Sequence, residues 1–162
     1  MAVAGISSLG VTFGYALETT SGTQPTAFTQ LTRINSIGEL TISPEVIDAS
    51  ALEDTLTKNI AGRDTVSDTI DVVVNVTDDT VSEWETVIST YSGRSNTNLR
   101  MWWEVIIPDI SKAYFIVASP PSAFPMSSQE QNSLETVTMT LVVNEYVGLD
   151  TKIAFTTTTT TA

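Results

Sequence analysis

Leu40-Thr41-Ile42 and Ile70-Asp71-Val72-Val73-Val74-Asn75-Val76 bracket the part of the chain on which the fold turns. Both read as β-strands, the second from its alternation of apolar and polar residues. The connection between them is polar and about 25 residues long, far beyond the ~2–5 residues of a hairpin loop. It holds Glu45-Val46-Ile47-Asp48-Ala49-Ser50-Ala51-Leu52-Glu53-Asp54 and then Ile60-Ala61-Gly62-Arg63-Asp64. A small domain has too little core to cover such a loop, so the loop is expected to reach a neighbour or a ligand. We read it as an arm for self-assembly.

Working outward, residues 10–17 predict a strand with Val11, Phe13 and Tyr15 on one side, followed by a turn cluster over residues 19–25. Residues 78–92 predict the helix. Val81, Trp84, Val87, Ile88 and Tyr91 recur at i, i+3, i+4 and form its packing face. Asp78, Asp79 or Thr80 is expected to cap its start, and Gly93 to end it in a left-handed conformation. Such a helix should lie across an open sheet.

Two alternating segments, 99–107 and 112–117, then read as a hairpin. Of the adjacent Trp102 and Trp103, the second is expected in the core, the first under the helix or a neighbouring subunit. Three prolines in 120–125 break the pattern, and a last strand is predicted over 134–147. There Val137, Met139, Leu141, Val143 and Val147 face one way, and Thr136, Thr138, Thr140 and Asn144 the other. Residues 1–155 read as a single domain, and the Thr-rich tail at 156–162 as disordered.

Composition excludes much chemistry. The 162-residue chain has no Cys and no His, so disulfides, thiolate metal sites and Ser-His-Asp or Cys-His catalysis are impossible. Seven basic residues stand against 19 acidic ones, a net charge of −12, which repels phosphate backbones. Charged residues are only 16% of the chain, against about 25% in an average protein. Its surface is therefore rich in hydroxyls and amides, as in a β protein or one covered by neighbours. No positive n-region precedes Arg33 and no apolar run approaches ~18 residues, so cytoplasmic synthesis without a membrane span is expected.

Carboxylates are the remaining catalytic candidates. Glu83 and Glu85 are two apart on the helix and diverge. Glu53-Asp54 with Asp64, Asp68 and Asp71 lack the spacing of a calcium loop. Gly5, Gly10 and Gly14 match no phosphate-binding fingerprint, and Ser111-Lys112 would face opposite ways in a strand. No catalytic residue, metal ligand or cofactor is expected.

The order of elements, and above all Ile47-Asp48-Ala49-Ser50-Ala51-Leu52-Glu53-Asp54 followed by Ile60-Ala61-Gly62-Arg63-Asp64, resembles the major tail tube proteins of long non-contractile-tailed bacteriophages. That family is related to the tube proteins of contractile tails and type VI secretion. The resemblance spans residues 34–147, with Gly62 at the centre of a turn. It implies a mainly β fold: an antiparallel β-sandwich or barrel with one flanking helix and a long inter-strand arm. It further implies a virion protein, not an enzyme, that forms hexameric rings stacked into a tube through which DNA leaves the capsid without specific binding. Expected partners are further copies of itself and tail proteins such as tape measure, terminator and tip proteins.

On this reading the arm, residues 44–68, touches the next ring through Glu45, Asp48, Leu52, Glu53, Asp54, Lys58, Arg63 and Asp64. Asp71, Asn75, Thr136, Thr138 and Thr140 would line the lumen. Removing residues 48–64 is then expected to leave a folded monomer that no longer polymerises. The alternatives are an exported surface or fimbrial-type β-domain involved in adhesion, and a carboxylate-dependent glycosidase or metal-binding module.

Overall fold

The structure is a computed structural model that describes residues 5–156. Eight strands form one curled sheet: β1 (Thr12–Leu17), β2 (Phe28–Leu31), β3 (Ile34–Ile37), β6 (Thr69–Asn75), β7 (Met101–Ile106), β8 (Lys112–Ser119), β9 (Thr136–Thr151) and β10 (Phe155–Thr156). The spatial order is β10-β2-β1-β7-β8-β9-β6-β3, antiparallel throughout except for β10 against β2. β4 (Ile42–Asp48) and β5 (Asn59–Val66) form a separate two-stranded sheet. The helix α1 spans Asp78–Ser92. The architecture is mainly β, a half-barrel with one helix.

The helix lies on the concave side. Trp84 stacks on Trp103 with ring centroids 5.8 Å apart, and Phe13 stacks on Trp103 at 5.3 Å. Around them close Met101, Ile70, Val72, Val74, Val87, Val137, Met139 and Leu141. The sheet buries part of its convex side too. There Phe28, Trp102, Phe115 and Val117 form a second cluster beneath Ile153 and Phe155. Strands β7 and β8 are therefore buried on both faces, which hides the usual period-two contrast.

The structure corrects several expectations. The long connection is itself an antiparallel hairpin, β4–β5, that prolongs the β3–β6 pair. Gly62 lies within β5 beside a register shift, where a Cβ would press on Ile47 and the Glu45 carbonyl; it centres no turn. β2 and β3 fall where no strand was expected. The helix cap is Thr77, one residue before the acids: its hydroxyl accepts from the Thr80 N–H at 3.2 Å, and the Thr80 hydroxyl accepts from the Thr77 N–H at 2.8 Å. Gly93 ends the helix at φ −90°, not in the left-handed region.

The last strand runs on to Thr151. Its two register shifts against β8 skip Asn144 and Val147, so Tyr146 takes the core side and Val147 is exposed. Trp102 packs under the C-terminal segment on the convex side, away from the helix. Of the Thr-rich tail, Thr156 pairs in β10, and 157–162 lie outside the described residues.

Candidate assembly interface

The arm is a hairpin with no core of its own. Every residue of β4 is exposed, and so is most of β5. Ile47 faces Ile60 across the strands on one side, and Val46 faces Ala61 on the other. Val46 is 67% exposed, Ile60 56%, Leu56 79%, and Leu52 is fully exposed. A two-stranded hairpin alone is marginal in water, so its order comes from local polar bonds. At the root, the Thr41 N–H donates to the Ser67 hydroxyl at 3.0 Å, and the Ser67 N–H to the Thr41 carbonyl at 3.1 Å.

At the tip, the Asp48 carboxylate accepts from the Ser50 N–H at 2.9 Å, and Asp54 from the Ala51 N–H at 2.7 Å. Lys58 pairs with Asp54 at 2.6 Å, and the Lys58 N–H donates to the Ser50 hydroxyl at 2.7 Å. The Ser50 side chain and N–H hold the Asp48 carboxyl below its usual range; Lys58 and then the Ala51 N–H do the same for Asp54. Of the arm residues singled out from the sequence, Asp48, Asp54 and Lys58 are thus spent on building the tip. Glu45, Leu52, Glu53, Arg63 and Asp64 are open to solvent.

Asp71, Asn75, Thr136, Thr138 and Thr140 come together on the convex face of β6 and β9. Asp71 lies opposite Thr140, Val73 opposite Thr138 and Asn75 opposite Thr136. The Thr140 hydroxyl donates to the Asp71 carboxylate at 2.9 Å, and the Asn35 amide to Asn75 at 3.0 Å. This half of the convex face is polar and bare, whereas the other half is covered by the C-terminal segment. On the helix, Trp84 and Val87 are buried while Val81, Ile88 and Tyr91 are half-buried. The Tyr91 hydroxyl meets Ser119 at 3.0 Å, and Glu83 accepts from the Thr32 N–H and hydroxyl, binding the helix to the β2–β3 turn.

Sequence reasoning missed two features. One is the arm's apolar set, Ile42, Val46, Ile47, Leu56 and Ile60, whose β-branched pairs on either side of a Ser/Asp-rich tip were the available hairpin signal. The other is an open cleft of about 980 Å³ at one end of the half-barrel, walled by Ile34, Ile37, Leu40, Val105, Ile107 and Tyr146 among others. Among the described residues no carboxylate, ammonium or guanidinium group lines it. Burial, and secondarily the neighbouring Tyr114, raises the Tyr146 phenol, so the cleft offers apolar contact rather than acid–base chemistry. Among the described residues no three Asp or Glu converge as metal ligands, and no helix is long and apolar enough to cross a membrane.

No family model matches the chain, and no curated protein matches it by sequence. Its fold is similar to that of several solved chains, two of them from six-fold assemblies. One belongs to the tail of an empty GTA particle, obtained by helical refinement with C6 symmetry. It is 15% identical with a TM-score of 0.54, over 88% of this chain and 95% of that one. The other belongs to the six-fold symmetrised cryo-EM structure of the anti-feeding prophage baseplate. It is 12% identical with a TM-score of 0.55, over 93% of this chain and 96% of that one. At these identities the likeness is one of fold.

Proposed function

We propose that this chain is a structural, non-enzymatic subunit of a phage-type tail, assembling into six-membered rings that stack as a tube around passing DNA. The observation that carries the reading is the arm: a hairpin with apolar side chains on both faces and no cover from the described residues of its own chain. Exposed apolar area of this kind marks an interaction surface. The seven-residue β4 gives the arm a reach of about 23 Å. Its root lies beside Leu40 and Ile70, which wall the cleft. An arm leaving from that rim extends toward the cleft of another copy. Contact between two different patches of one chain is heterologous and propagates into rings or filaments.

The shared fold supports the reading, because both similar chains sit in six-fold assemblies, one in a tail and one in a baseplate. The bare convex face with Asp71, Asn75, Thr136, Thr138 and Thr140 suits a lumen wall. Hydroxyls, one amide and one acid per subunit offer phosphates no cation to neutralise them, and a net charge of −12 discourages contact. The free edge of β3 is a second site for closure between copies. Negative-stain microscopy of the concentrated protein tests the reading. Annuli or hollow tubes are expected; dispersed single copies at every concentration would overturn it.

A further inference from the structure

Two glutamates are fully buried on the convex side of the same sheet, and their surroundings are opposite. Glu18 accepts four hydrogen bonds: from the Trp102 indole at 2.7 Å, the Gly22 N–H at 2.9 Å, the Arg100 side chain at 3.0 Å and the Arg100 N–H at 3.3 Å. Burial raises its carboxyl, but these bonds outweigh it and hold the group below its ordinary range. Glu104 accepts one, from the Ile153 N–H at 2.9 Å, and its second oxygen has no partner among the described residues. Burial raises its carboxyl, and the single Ile153 bond offsets this only in part.

Among the described residues no charge reaches Glu104 from the elements around it. Its register neighbours are Gly14 on β1 and Phe115 on β8; Trp102 and Ile106 precede and follow it on the same face of β7. From the covering segment come Ile153 and Phe155. Lys152 is the nearest cation in that segment, and its amine is spent on the carbonyls of Ile107 at 3.2 Å and Pro108 at 3.5 Å. Arg100 is engaged by Glu18 and Glu145. One donor cannot replace the water that an ionised carboxylate loses in such a site.

The segment above it is lightly attached. It holds by the Ile153 bond, the Lys152 amine, the Thr156 hydroxyl on the Phe28 carbonyl at 3.0 Å, and a two-residue pairing with β2. Phe155 rests over Gly14, where a Cβ would lie 2.3 Å from its ring. We propose that residues 152–156 form a clasp that stays shut while Glu104 carries a proton and opens when that proton is lost, baring Phe28, Phe115 and the outer edge of β2. The closed clasp holds one more proton than the open one. Opening therefore becomes easier as pH rises through the carboxyl's titration, by up to tenfold per pH unit.

Amide hydrogen exchange of residues 150–156, corrected for intrinsic rates between pH 5 and 9, tests this, with the amides of β7 as the reference for global unfolding. Global unfolding frees Glu104 as well, so β7 exchange is expected to climb in parallel. The clasp amides are expected to open more readily than β7 at every pH, with an opening constant that climbs with pH, and Glu104→Gln is expected to abolish the climb. A flat wild-type profile, or an unchanged climb in Glu104→Gln, overturns the proposal. Should that variant not fold, the Ile153 amide shift of the wild type decides. A titration midpoint above the ordinary glutamate range of about 4.3 is expected, and a midpoint at that value contradicts the clasp.

Discussion

The half-barrel and the arm are built of the same secondary structure and differ in what covers it. β7 is buried on both faces; β4 is exposed on both. The half-barrel is stabilised by burial, with Trp103 flanked by Phe13 and Trp84 and its indole N–H on the Ala118 carbonyl at 3.0 Å. The arm is ordered by turn bonds and one exposed ion pair, which contribute little in water. If the arm joins copies as proposed, stability and association are separable in this chain. Substitutions in one region should act on folding, and in the other on contact between copies.

The largest expected effect sharpens that division. Trp103→Ala removes the centre of the stack and should lower unfolding free energy by about 3–5 kcal/mol in a denaturant titration. Next comes Arg100→Leu, which leaves Glu18 buried without its cation and should cost about 3 kcal/mol. The wild type carries the pH signature of that site. Glu18's carboxyl is depressed on folding, so its contribution is present above the unfolded pKa and lost as pH falls through the folded one. Stability measured from pH 6 down to pH 3 should fall more steeply in the wild type than in Glu18→Gln.

Thr77→Ala breaks the reciprocal cap of α1 and should cost about 1 kcal/mol. The smallest change in stability belongs to the arm. Ile47→Ser with Ile60→Ser should shift the unfolding free energy by under about 0.5 kcal/mol, as for other exposed positions. A loss of several kcal/mol there would break the comparison, because it would mean that the arm packs on its own half-barrel.

Much of this was legible where one physical signal dominated. The i, i+3, i+4 spacing from Val81 to Tyr91 placed the helix over residues 78–92, and the alternation in 70–76 and 136–143 placed β6 and most of β9. The arm's existence followed from the length of the connection. Its hairpin form did not, because a register shift between Pro44 and Val46, opposite Gly62, breaks the alternation. β2 and β3 are four residues each, too short for a period to show. Glu104 reads as an ordinary polar residue in an alternating strand; only the clasp folded over it, about fifty positions on, makes it a buried acid. The cleft is likewise assembled from distant segments and has no local signal.

On the proposed reading the uncovered apolar hairpin joins copies of this chain. The most direct measurement is electron microscopy with sedimentation velocity on the concentrated wild type, beside a variant with Ile47, Leu52, Leu56 and Ile60 all changed to Ser. Annuli or tubes from the wild type and a folded, monodisperse monomer from the variant are predicted. A wild type that stays monomeric at every concentration, or a variant that assembles as the wild type does, would contradict it.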